Sequence, residues 1–157
     1  MYNHAPENYI CPFCLLVRGE ENERLLSSPA DIFYQDEHIT ALIASHKWTD
    51  QGGNAILIPN RHFENLYDLP DDLGAHFFSV TRRVALAMKR TYGCEGISIR
   101  QHNEPAGNQD VWHFHLHVFP RYSGDNLYGS QRILASPEER AACAARLRAV
   151  LVGDRVA

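Results

Sequence analysis

No segment of the chain approaches the ~18 consecutive apolar residues of a membrane-spanning helix. The opening stretch, MYNHAPENYICPFC, holds neither lysine nor arginine and no apolar run, so the expectation is a soluble cytoplasmic protein with no membrane partner. Cysteine is scarce, four residues in 157, too few for a disulfide scaffold. Basic charge is not in excess. The 15 Lys+Arg against 19 Asp+Glu leave a net charge of −4, without the positive footprint of a general nucleic-acid binder, so an anionic ligand must be held by a local site. Repeats, low-complexity tracts and Pro/Gly-rich linkers are also missing, and residues 1–157 read as one domain. With 45% hydrophobic and 22% charged residues the composition excludes a disordered or collagen-like chain, and the length suffices to bury a core without staples.

What remains is patterned. Asp31 to Tyr34, Ile39 to Ser45 and Asn54 to Ile58 are β-rich runs. They are separated by Gln35-Asp36-Glu37-His38 and by a turn signal, Asp50-Gln51-Gly52-Gly53, which suggests an antiparallel meander. After Pro70, Leu73, Phe77, Val80, Val84 and Ala87/Met88 recur at helical spacing as far as Gly93, a stop signal. Arg82, Arg83, Lys89 and Arg90 then read as a solvated helix face. Gly96 to Gln101 predicts a strand, 102–110 a polar loop, and Val111 to Phe119 a long strand closed by Pro120. Ser136-Pro137-Glu138-Glu139 carries an N-cap and capping box for a last helix over about 137–151.

Two motifs carry chemistry. Cys11-Pro12-Phe13-Cys14 lets two thiolates converge on one metal; the other readings are a redox pair or an accidental one. Zinc would need two more ligands, which the histidines must supply. Cys94 and Cys143 read as core fillers. In Trp112-His113-Phe114-His115-Leu116-His117-Val118 an extended chain sends His113, His115 and His117 to one face, and Trp112, Phe114, Leu116 and Val118 to the core. With nine histidines in 157 positions, chance yields such a triple in roughly 3% of chains. The alternating row suits contact with consecutive phosphate oxygens, or a metal with its substrate; a polar sheet face that merely contains histidines is the bland alternative.

His113-Phe-His115-Leu-His117-Val-Phe resembles the signature of the histidine triad (HIT) superfamily of nucleotide hydrolases and transferases. The resemblance extends in order through the CxxC motif with Gly19-Glu20, Asp36-Glu37-His38, Ile58-Pro59-Asn60-Arg61-His62 with Glu64-Asn65, and Asn103 with Ala106-Gly107. It covers about residues 9–128 and is of the bacterial zinc-containing type; the final helix lies beyond it. It implies an α+β fold, a five-stranded antiparallel sheet with a long helix, here with an additional C-terminal helix, and a homodimer joined across the helix and an edge strand. It also implies that His115 attacks the α-phosphorus of a nucleotide while His117 bonds phosphate oxygens. Nucleotide contacts fall on Asn103, Asn108, Gln109 and His117, and a structural zinc on Cys11, Cys14, His62 and His113. Since the third triad residue is histidine and not the glutamine of the uridylyltransferase branch, the resemblance favours hydrolysis of a P–O–P or P–N bond through a nucleotidyl-histidine.

Two departures stand out. The usual Ala-Gly-Gln-Ser/Thr run is Ala106-Gly107-Asn108-Gln109-Asp110, which puts a carboxylate at the hydroxyl residue's place. The ribose-binding aspartate after the second strand is missing; Ser45, His46 or Trp48 are the candidates to replace it, with a loop anchor the equal reading of Trp48. A non-catalytic nucleotide-binding or interaction protein on the same fold is the alternative function; a metal oxygenase with His113 and His115 as ligands would want a facial carboxylate and open iron positions, and the thiolate pair favours zinc.

Overall fold

The computed structural model describes residues 2–20, 25–48, 53–127 and 129–153. Its main sheet is built from β1 (Ile32–Gln35), β2 (Ile39–Ile43), β4 (Ala55–Pro59), β5 (Gly96–Gln101) and β6 (Leu116–Arg121), all neighbours antiparallel in the order β1-β2-β4-β6-β5. Every residue of β2 and β4 is buried, because both sheet faces are covered. Strands enclosed on two sides read as continuous apolar runs, not as alternations. The expected meander is β1-β2-β4. Its turn residues Asp50, Gln51 and Gly52 lie outside the described residues. Gly53 follows them, where a Cβ would stand 2.7 Å from Ile43 Cγ2, so only glycine lets the chain approach β2 this closely.

On one face lies the long helix α2 (Asp71–Tyr92), which buries Phe77, Val80, Val84, Ala87 and Met88 at the expected spacing. It ends where Gly93 takes a φ of 65° and donates its N–H to the Lys89 carbonyl. Beside it the C-terminal helix α3 (Pro137–Gly153) adds Cys143, Ala144, Leu147 and Leu151 to the same core. Ser136 Oγ accepts the Glu139 N–H as its N-cap. The capping box does not close, since the Glu139 carboxylate pairs with Lys47.

The opposite face is covered by a short helix, α1 (Pro12–Arg18), and by a two-stranded ribbon of β3 (His46–Lys47) and β7 (Ile133–Leu134). None of these three elements was expected. The histidine strand is also shorter than predicted: residues 111–115 bend, and β6 begins at Leu116 and runs through Pro120 to Arg121. Pro120 is admitted because β6 there extends past its pairing with β4. The alternation of a pleated strand therefore does not reach Trp112, which is half-buried against the His4 ring and belongs to neither apolar cluster. No helix among the described residues is long and apolar enough to cross a membrane.

Arg140, in the first turn of α3, is buried against a buried Asp31, with Nε 3.1 Å from Oδ2. Its two other nitrogens donate to the carbonyls of Ala135 and Leu26, each at 2.7 Å. Removing one partner strands the other charge in the interior. Arg140→Met is expected to cost about 3–5 kcal/mol, read as a lower urea midpoint at unchanged m-value; a loss below about 1 kcal/mol would contradict this role.

Candidate active site and metal cluster

The start of α1, the end of β4 and the bent 111–115 segment bring four ligands together. Cys11, Cys14, His62 and His113 each offer an atom within 4.8 Å of the others, the one such group among the described residues. Cys11 is the N-cap of α1, so the helix turn itself sets its distance to Cys14, whose N–H donates to Cys11 Sγ. A helix thus does follow the CxxC motif, as a redox pair would have; the convergence of two histidines on it points to metal instead. Cys11 Sγ lies 3.2 Å from His113 Nδ1, and Cys14 Sγ lies 3.3 Å from His62 Nδ1 and 3.6 Å from His113 Nδ1. A tetrahedral ion with bonds of ~2.3 Å to sulfur and ~2.05 Å to nitrogen would place these pairs about 3.6 Å apart. His113 is fully buried and donates its Nε2–H to the Pro59 carbonyl at 2.9 Å, which leaves the Nδ1 lone pair aimed at the thiols. The neighbouring Cys14 thiol, ahead of His113, pulls the Cys11 pKa down to about 3 and is itself pushed up by the pairing, so one thiolate is ready for a cation. The residues fit a metal.

Next in the row stands His115, 2% exposed. Its Nδ1–H donates to the His113 carbonyl at 2.8 Å, so Nε2 keeps the lone pair. Burial holds the ring below the usual imidazole pKa, which favours the neutral form. The edge of Phe13 lies on one side, ring centres 5.4 Å apart, and His117 on the other at 5.1 Å. His117, on β6, stacks on Phe119, and burial above all pushes its pKa down to about 3. It is therefore a neutral N–H donor. Its Nδ1 is buried without a partner among the described groups.

Both histidines open on a cavity of about 260 Å³ whose apolar wall includes Phe13, Leu25, Leu26, Trp48 and Ile56. Ser45, His46 and Trp48, the expected substitutes for the missing aspartate, all line it, as does Asp110. Asn103, Asn108 and Gln109 do not. Gln109 is 5% exposed and spends its amide on the loop, accepting from Glu104 N and donating to the carbonyls of Glu64 and Val111. Asn103 accepts from Leu66 N and exchanges hydrogen bonds with Gln101, while Asn108 is an exposed residue with φ 64° at the loop tip. In this structure Asn103 and Gln109 brace the backbone of the loop, and Asn108 stands exposed at its tip. Sequence reasoning missed Arg132, which borders the cavity. The Ile133-Leu134 pair after it was the sole hint of a strand there.

The HIT domain family model matches residues 26–124. Over 127 residues, 81% of this chain and 80% of the relative, the sequence is 29% identical to "Protein hit" of Bacillus subtilis. It is 25% identical over 123 residues to the adenylylsulfatase HINT3 of Arabidopsis thaliana, covering 78% of this chain and 58% of that protein. Among solved structures, a Zn-bound histidine triad family protein from Mycobacterium smegmatis superposes with a TM-score of 0.76 at 28% identity, over 93% of this chain and 96% of that one.

Proposed function

This chain belongs to the HIT domain family, and from that premise we propose that it is a nucleotide hydrolase cleaving a P–O–P or P–N bond at a nucleoside α-phosphate. The observation that carries the reading is His115, a neutral imidazole whose Nδ1–H is tied to the His113 carbonyl and whose Nε2 lone pair is left for the cavity it lines. In the first displacement Nε2 bonds to phosphorus as the bond to the leaving group breaks. In the second, water attacks, the P–N bond breaks, and a nucleoside monophosphate leaves with the imidazole restored. His117 donates to the non-bridging oxygens as charge builds on them. Ser45, His46 and Trp48 serve the nucleoside from the cavity wall, while Asn103 and Gln109 act through the loop they brace and Asn108 sits at its tip. The adenylylsulfatase activity in the name of the Arabidopsis relative supports a hydrolase.

We assign a structural zinc to Cys11, Cys14, His62 and His113, as the Zn-bound mycobacterial neighbour supports. With four protein ligands the ion has no position for substrate; it would fix the bend that precedes β6 and so the direction of His115. The protein is taken as a single cytoplasmic domain, α3 included, with a nucleotide as its ligand. Turnover of a dinucleoside polyphosphate and of a nucleoside phosphoramidate by the wild type and a His115 variant tests the function. A non-catalytic nucleotide-binding protein is the second reading, favoured by the largely exposed Asp110 carboxylate 3.8 Å from His115 Nε2.

A homodimer is part of this reading, and the outer edge of β5 supports it. There Ile99 is 47% exposed, and on α2 so are Phe78 at 64% and Leu86 at 42%, an apolar edge of the kind that a second copy would cover. Light scattering is expected to give twice 17.8 kDa at micromolar concentration, and Phe78→Glu to shift it toward the single-chain mass. A single-chain mass for the wild type would refute the dimer.

A further inference from the structure

Hydrogen bonds are plentiful around the cavity, but fixed positive charge is not. Burial holds His117 and His46 below the ordinary imidazole range, so these two rings bring hydrogen bonds without a net charge. Among the described residues bordering the cavity, Asp110 is the one carboxylate and Arg132 the one lysine or arginine. Asp110 Oδ1 lies 3.8 Å from His115 Nε2 and its Oδ2 lies 3.5 Å from Arg132 Nη1. A phosphate arriving at His115 therefore meets a carboxylate, and like charges a few ångströms apart repel unless a cation stands with them. Arg132 is placed to be that cation. Its side chain is 51% exposed, and a single contact at 3.5 Å leaves most of the five guanidinium donors for another acceptor.

The backbone that carries it is fixed from two sides. Arg132 precedes β7, whose Ile133 and Leu134 pair with Lys47 and His46. The next residue, Ala135, donates its N–H to the Ser45 carbonyl at 2.9 Å and accepts from the buried Arg140. A half-exposed guanidinium on a braced ribbon, facing an acidic neighbour at the nucleophile, has the construction of an anion contact.

We propose that Arg132 is the specificity-determining contact of this site: it leaves Asp110 to pair with the phosphate chain beyond the scissile bond, so that nucleotides with a phosphate-chain leaving group are selected over those that lose a neutral amine. This rests on the proposed hydrolysis at His115. Two measurements test it on the full-length protein and its Arg132→Gln and Asp110→Asn variants: calorimetric titration with inorganic pyrophosphate, and kcat/KM for a dinucleoside polyphosphate and for a nucleoside phosphoramidate. In Arg132→Gln the pyrophosphate affinity is expected to fall about tenfold or more, the loss of a charge-assisted hydrogen bond. The polyphosphate-to-phosphoramidate ratio of kcat/KM should fall by a similar factor. In Asp110→Asn the pyrophosphate affinity rises, because the competing carboxylate is gone. Unchanged pyrophosphate affinity in Arg132→Gln overturns the inference, and so does an equal loss on both substrates. Arg132-dependent pyrophosphate binding by a protein that hydrolyses neither substrate would instead uphold the contact and defeat the hydrolase reading.

Discussion

Replacing His115 with glycine is expected to lower kcat by on the order of 10⁴-fold or more, on phosphate-chain and amine leaving groups alike, because both displacements of the proposed mechanism pass through the same nitrogen. The geometry leaves no substitute. His113 has its Nε2–H on the Pro59 carbonyl and its Nδ1 among the thiols, so neither nitrogen can reach phosphorus. His117 stands two residues further on, in β6, with its ring stacked on Phe119. His115 is outside the four-ligand cluster and its ring is not part of the apolar core, so the variant should keep its metal and its nucleotide affinity near wild type. His115→Asn, closer in shape, controls for the hole left by a buried ring. Residual turnover within tenfold of wild type would favour the non-catalytic reading or another site.

Removing the proposed zinc is expected to act on the fold more than on the chemistry. Zinc is expected at about one ion per chain, and Cys11→Ser should lose it, since Cys11 both belongs to the four-residue cluster and caps the helix that presents Cys14. Metal affinity is folding free energy wherever the site is unformed in the unfolded chain. Here the core on the α2 side of the sheet stands apart from the cluster, so chelation is expected to lower Tm by about 10 °C without abolishing the fold. Unchanged zinc in Cys11→Ser, or no zinc in either protein, would sink the assignment.

The elements legible in the sequence are those whose signals are local and long. The 3.6-residue recurrence from Leu73 to Met88 with Gly93 behind it marks α2, and Gly96 to Gln101 marks β5 as observed. The elements that went unread are short. Seven residues of α1 show no periodicity, although Pro12 at the first helical position and Gly19 with φ 69° were available as start and stop signals. The two-residue strands β3 and β7 exist only through each other. The bend at 111–115 is a tertiary effect, set by the Pro59 carbonyl receiving His113 and the Phe63 carbonyl receiving Phe114 N–H; the alternating pattern on its own favours a strand throughout. At the candidate site, the convergence of Cys11, Cys14, His62 and His113 and the place of His115 and His117 at one cavity were readable because cysteine and histidine at these spacings have few other uses. The hydrogen bonding of Asn103 and Gln109 was not, since the same amide can hold a ligand or a loop, and the direction it points here is set by Leu66, Glu64 and Glu104 from elsewhere in the chain. Arg132 is a single charge in a polar stretch, meaningful only once β7 sets it beside Asp110.

The central claim is that His115 becomes covalently attached to the α-phosphorus, and stereochemistry tests it without relying on a mutant. A substrate carrying a chiral α-phosphorothioate is hydrolysed in isotopically labelled water, and the configuration of the thiophosphate product is determined. Two successive in-line displacements, by His115 Nε2 and then by water, each invert the centre, so net retention is predicted. Direct attack by water, with the histidines acting only as acids and bases, inverts it once, and an inverted product would contradict the nucleophilic role of His115.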